Sequence, residues 1–166
     1  KGYQETLFAP AAAVETSFNY AFSFDPTSYP ANWFYSGRYR FQKHYYVLPG
    51  ELEGKGEEYE CAFALDSIKQ VKYWVRNLSG QSRAAFSLPT SSDRFYPDFV
   101  AMLEDNRLLV VEYKGAAYVT NDDSKEKRQL GELWEKKSNS KGLFLMAQKI
   151  DELGRGAYGQ IAAKIG

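Results

Sequence analysis

The chain has 166 residues, 44% hydrophobic and 25% charged, which suits one domain with a real core. Lys+Arg and Asp+Glu number 21 each, so nothing in the bulk charge marks a free-standing, strongly nucleic-acid-binding protein. One cysteine excludes an internal disulfide and, with a single histidine, argues against a zinc site, while no apolar run reaches the roughly 18 residues of a membrane span and no secretory signal opens the chain.

The chain starts at Lys1-Gly2 without Met and reads as a piece of something longer. Its lone Cys61 points to a cytoplasmic location. Residues 1–17, Ala-rich with Pro10, read as a loosely structured lead-in. Residues 18–48 are crowded with aromatics. Phe18, Tyr20, Phe22 and Phe24 alternate, as do Tyr39 with Phe41 and Tyr45 with Val47, which predicts strands. Asp25-Pro26 and Tyr29-Pro30 interrupt them as loop. Pro49-Gly50 and Gly54-Lys55-Gly56 mark a boundary. The division expected is an aromatic-rich N-terminal β extension, residues 1–50, packing on a compact domain of residues 51–166.

From Glu57 to about Gln70 the period becomes helical, with Cys61, Ala64, Leu65 and Ile68 on one stripe. Val71 to Val75 predicts a strand ended by Arg76-Asn77-Leu78-Ser79-Gly80, and Ala84 to Leu88 a shorter one closed by Pro89. Next come two apolar strands, Tyr96 to Leu103 and Leu108 to Gly115, joined by Glu104-Asp105-Asn106. Asn tolerates a left-handed backbone, so this connector predicts a hairpin. Asn121-Asp122-Asp123-Ser124 supplies cap chemistry for a helix to about Ser138, with Leu130, Leu133 and Trp134 as its core-facing stripe. Gly142 to Ala147 reads as a buried strand, and Gln160 to Ile165 as a short final helix. The order gives an α/β fold with a mixed central sheet flanked by helices.

The hairpin carries the chemistry. Folded symmetrically about Asp105, it sets Val100 against Val110, Phe99 against Val111 and Asp98 against Glu112. Opposed residues sit about 4.5–5.5 Å apart at Cβ, and like charges there are destabilising. Strand period two puts Lys114 on the face of Glu112. Two carboxylates and a lysine therefore converge at one end of an apolar hairpin. A Mg²⁺-class cation takes one or two carboxylates together with water and a substrate phosphate, so Asp98 and Glu112 are candidate ligands, and the backbone carbonyl of Tyr113 lies between them as a further one. Such a cation polarises a phosphoryl oxygen and helps generate hydroxide. Lys114 can position or deprotonate the water, or neutralise charge at the phosphate. The plainer alternative is a surface ion pair between Glu112 and Lys114, worth under about 1 kcal/mol.

Pro97-Asp98 followed by Glu112-Tyr113-Lys114 resembles the PD-(D/E)XK nuclease superfamily. Gly56, Tyr59, Glu60 and Ala64 resemble the first-helix motif of its restriction-type members. The resemblance implies a restriction-endonuclease-like core and cleavage of DNA with Mg²⁺, or Mn²⁺ as substitute. It assigns catalysis to Asp98, Glu112 and Lys114 and makes Glu60 the third acid of the metal site. On a helical wheel Glu57 lies inside the Cys61/Ala64/Ile68 stripe and Glu60 on its edge, so Glu57 remains an alternative. Residues 56–62, 71–78, 95–101 and 109–115 further resemble the C-terminal nuclease domain of DEAD/DEAH-box helicases related to the Res subunit of type III restriction enzymes. That resemblance covers most of residues 38–147 and implies an ATP-dependent translocase elsewhere in the full-length chain. No Gly-x-x-x-x-Gly-Lys-Ser/Thr loop occurs here, so this segment is not the motor. It also implies that the helix after Lys114 flanks the site, offering Lys125, Arg128 or Gln129 to phosphate. The plain reading of that helix is a solvated face, since Glu126, Glu132 and Glu135 are interleaved.

Aromatics of the N-terminal third can stack on unpaired bases or cover a sheet, and the packing reading is the more ordinary. Arg38, Arg40, Lys43 and His44 among them form the expected local basic patch. His44 reads as packed or at the surface, and Cys61 as core. The alternative to an enzyme is a non-catalytic nucleic-acid-binding or docking module, or a purely structural domain of a larger protein.

Overall fold

The structure, a computed structural model, describes residues 22–80, 85–115 and 122–166. Helix α1 spans Glu57–Ser67 and opens on Glu57, Glu58 and Glu60, acids that the positive end of the helix dipole favours. It feeds β1, Val71–Arg76. A short ribbon pairs β2, Leu88–Pro89, with β3, Arg94–Phe95. The hairpin follows as β4, Phe99–Leu103, and β5, Leu108–Tyr113. Helix α2, Asp122–Lys137, then β6, Gly142–Ala147, and helix α3, Ala157–Ile165, complete the order.

The sheet runs β1-β4-β5-β6. The first two pairings are antiparallel, and β6 lies parallel to β5, a pairing that requires a crossover, here through α2. Strand alternation then sorts the side chains. Phe99, Ala101, Leu109, Val111 and Tyr113 face α1 and α3. Val100, Val110, Phe144 and Met146 face α2, where Leu130, Leu133 and Trp134 meet them. All six residues of β5 are buried because the strand is central and covered on both faces. Two glycines let α2 approach β6. A Cβ on Gly131 would stand 2.4 Å from the Phe144 ring, and one on Gly142 would stand 2.3 Å from Trp134. The hairpin register is the expected one, Val100 opposite Val110 and Phe99 opposite Val111, and Asn106 takes the left-handed turn position with φ 71°.

The aromatic N-terminal segment departs from expectation. Between residues 22 and 56 no strand forms among the described residues, only single bridges at Phe34–Gly50 and His44–Trp74. The rings pack on each other instead of lying along a ladder. Tyr29 stacks on Tyr46 with centroids 4.1 Å apart, and Phe24 meets Tyr45 and Tyr73. Phenolic hydroxyls bind backbone carbonyls that strand pairing would otherwise take: Tyr29 donates to Arg76 O, Tyr46 to Asp25 O and Tyr35 to Tyr39 O. In place of the short strand expected over Ala84 to Leu88, β2 is Leu88–Pro89, and it pairs with Arg94–Phe95, which no local pattern marks. Helix α1 ends at Ser67 because Ile68 is already extended, and α3 starts three residues earlier than expected. The lead-in, Phe18, Tyr20, Ala84 and Asn121 lie outside the described residues. Among the described residues no helix is long and apolar enough to cross a membrane.

Candidate active site

Pro97 has no N–H, so the β4–β5 ladder ends there and a side chain takes over. The Tyr113 N–H donates to Asp98 Oδ2 at 2.8 Å, and the Asp98 N–H donates to Glu112 Oε1 at 3.2 Å. The Glu112 carboxylate thus holds the Asp98 backbone, and the Asp98 carboxylate holds the backbone of Tyr113, the residue after Glu112. Buried Asn77 anchors the approach. Its amide donates to the carbonyls of Phe86 and Pro97, and its backbone N–H donates to Asp98 O.

Glu112 is only 4% exposed. Its Oε2 lies 3.3 Å from Lys114 Nζ and 3.6 Å from Lys127 Nζ. Burial, then the nearby Asp98 carboxylate, pushes its pKa up to about 8, against the opposing pull of both lysines. Burial works against charge on Lys127 as well, but the Glu112 and Asp123 carboxylates outweigh it and hold the ammonium above its ordinary range. Lys127 also sits 3.2 Å from Asp123 and over the Phe95 ring. Burial and the Asp98 carboxylate thus favour a proton, or a bound cation, at Glu112.

Arg76 ties the other side. Its Nη2 lies 2.6 Å from Glu58 Oε1 and donates to the Glu51 carbonyl, while Nη1 lies 3.5 Å from Asp98 Oδ1. The guanidinium also covers the Phe99 ring. Glu57 accepts the Tyr113 hydroxyl at 2.6 Å and lies 4.0 Å from Lys149 Nζ.

Asp98, Glu112 and Lys114 therefore meet as the strand pattern predicts. Glu60 does not join them. It is exposed and lines a shallow cavity between α1 and α3 with Tyr59, Phe63 and Tyr158. Among the described residues no group of three His, Cys, Asp or Glu side chains forms a ligand cluster. The acids that α1 turns toward the strand ends are Glu57 and Glu58, because Glu57 leads the buried stripe through Cys61, Ala64 and Leu65. On α2, Lys125 is exposed, and no ion pair or hydrogen bond joins it, Arg128 or Gln129 to either carboxylate. The cation that arrives is Lys127, three residues before Leu130 and seven before Trp134, on the same helical face. That spacing was the available signal for it.

The expected basic patch is also redistributed. Arg38 is exposed, but Lys43 donates to the carbonyls of Ile68 and Val71 and closes the C-terminal end of α1. His44 is packed, one of the two placements expected. Burial lowers its pKa to about 4, and its Nε2 accepts the Arg76 N–H. Cys61 is wholly buried. The sequence pattern makes Arg76 and Asn77 only the end of a strand, and nothing local marks their reach across to Asp98.

Fold and site together define a mixed α/β protein with a carboxylate–lysine cluster at one end of its sheet. No family model, curated protein or solved structure matches the chain.

Proposed function

We propose that this chain is a divalent-metal-dependent nuclease domain of the PD-(D/E)XK kind, with a restriction-endonuclease-like core, that cuts DNA phosphodiester bonds internally. In this reading it forms the C-terminal part of a larger ATP-dependent helicase. The observation that carries the reading is the meeting of Asp98, Glu112 and Lys114 where β4 begins and β5 ends.

The donor set fits a hard divalent cation. Asp98 and Glu112 offer only oxygen, and burial pushes Glu112 toward its protonated form even with Lys114 and Lys127 beside it, so a further positive charge at the site is favoured. The Tyr113 carbonyl leaves the strand on the side of its N–H, which points to Asp98. When bound, Mg²⁺ or Mn²⁺ supplies Lewis-acid polarisation and acidifies a water. The chain's own residues do the rest. Asp98 is held in place by the Tyr113 N–H and Arg76. The Lys114 ammonium, beside Glu112, orients a water and offsets charge growing on the phosphate. Lys127 adds a second positive group to the same carboxylate.

Plasmid incubated with Mg²⁺ or Mn²⁺ tests this. The parent nicks it. Asp98→Ala and Lys114→Ala stay folded by circular dichroism and lose about 100-fold or more of the cleavage. Equal cutting by parent and both variants removes the assignment. One observation favours a second reading, a module that binds nucleic acid without cutting it: Arg76, Lys114 and Lys127 already stand in ion-pair range of the two carboxylates. DNA binding with no cleavage under either ion supports that reading over the first.

A further inference from the structure

Ten aromatic residues lie between positions 22 and 50, and eight of them are buried or half-buried. Trp33 and Phe34 are the exceptions, 45% and 46% exposed. They are adjacent, and they sit on a braced loop. The Trp33 carbonyl accepts the Glu51 N–H, the Phe34 backbone bridges to Gly50, and the Tyr35 N–H donates to Pro49 O. Glu51 is the clasp. It holds a left-handed backbone, φ 53°, which a non-glycine residue keeps only when its surroundings impose it. Its carboxylate accepts two N–H groups of Asn32, and its carbonyl accepts Arg76 Nη2, the guanidinium that pairs with Asp98. The exposed rings are thus tied by two short links to the candidate site.

Sheet order sets out what lies beyond. The aromatic loop is joined to the end of β1, the carboxylates occupy the ends of β4 and β5, and Lys114, Lys127 and Lys149 follow on the β5–β6 side. The loop that carries the rings is thus on the β1 flank and the ammonium groups on the β5–β6 flank, with the candidate acids between.

We propose that this end of the molecule takes an unpaired stretch of nucleic acid, with bases stacked on Trp33 and Phe34 and phosphates toward the lysines; this rests on the nuclease reading above. Ring faces stack on bases that are not already stacked within a duplex, and such stacking tolerates any sequence. Duplex tracking leans instead on many phosphate contacts, and a chain with 21 basic and 21 acidic residues has no net positive charge to favour them.

Trp33 is also the reporter, because Trp74 and Trp134 are fully buried. The experiment titrates the 166-residue chain in EDTA with a 12-nucleotide oligothymidylate, and separately with a blunt duplex of mixed sequence. The single strand quenches tryptophan fluorescence and binds more tightly than the duplex. Because these variants lack the reporter, their binding is read by the anisotropy of a dye-labelled strand: Trp33→Ala with Phe34→Ala weakens it about ten-fold without changing the melting temperature, and Trp33→Phe with Phe34 intact keeps most of the parent affinity. Absence of quenching, equal binding of duplex and single strand, or full binding by the double variant overturns the proposal. Cleavage is read separately with Mn²⁺. A parent that binds and is quenched but never cuts removes the hydrolytic reading and leaves the platform. A parent that cuts both substrates equally, indifferent to Trp33→Ala, removes the platform and leaves hydrolysis.

Discussion

Glu112 and His44 pull the pH dependence of stability in opposite directions. The Glu112 pKa rises from 4.5 unfolded to about 8 folded. Between those values the folded protein binds the extra proton, so stability falls as pH rises through this window. The His44 pKa falls from 6.5 to about 4. There the unfolded chain binds the extra proton, so stability falls as pH drops from about 6.5 to 4. Urea midpoints measured from pH 4 to 9 are expected to show both limbs. Glu112→Gln keeps an acceptor for the Asp98 N–H and flattens the alkaline limb alone. An unchanged alkaline limb in that variant assigns the titration elsewhere. Asp66 is a second demanding residue. Its buried carboxylate accepts the Tyr39 hydroxyl, the N–H groups of Gln42 and Lys43, and Trp74 Nε1. Asp66→Ala leaves these donors without their acceptor and costs about 3 kcal/mol or more by denaturant titration.

At the scale of elements, the seating of α2 on β6 decides which helical cation reaches Glu112. Gly131 permits that seating, since any Cβ there meets Phe144. Gly131→Val is expected to cost about 1–3 kcal/mol through overpacking. It also lifts Lys127 away from Glu112, so in the nuclease reading it lowers cleavage more than Lys125→Ala does. A variant that melts early yet cuts at the parent rate argues that Lys127 is dispensable. The hairpin is less dependent on its neighbours. Its short turn, with Asn106 in the left-handed region, and its alternation of apolar residues define one register from within.

For the molecule as a whole, metal binding and folding are linked. A cation that binds only the folded protein raises its melting temperature, and it must displace the proton that Glu112 holds. Mn²⁺ is therefore expected to raise the melting temperature more at pH 8.5 than at pH 6.5, and Asp98→Ala to abolish the response. Melting that ignores Mn²⁺ at both pH values counts against the nuclease reading.

Periodicity and turn chemistry alone disclosed the mixed α/β layout, the hairpin register and the shared face of Asp98, Glu112 and Lys114. Each of these follows from which way side chains leave a single strand or helix, a property of neighbours in the chain. Other features waited for tertiary structure. Alternating aromatics at Tyr39 and Phe41 read as a strand, yet ring packing and hydroxyl-to-carbonyl bonds won over a ladder. The choice of Glu57 and Glu58 over Glu60, of Lys127 over Lys125, and the reach of Arg76 from Glu58 to Asp98 all depend on how elements dock. Docking is set by shape and burial between residues far apart in sequence, and no local pattern encodes those distances.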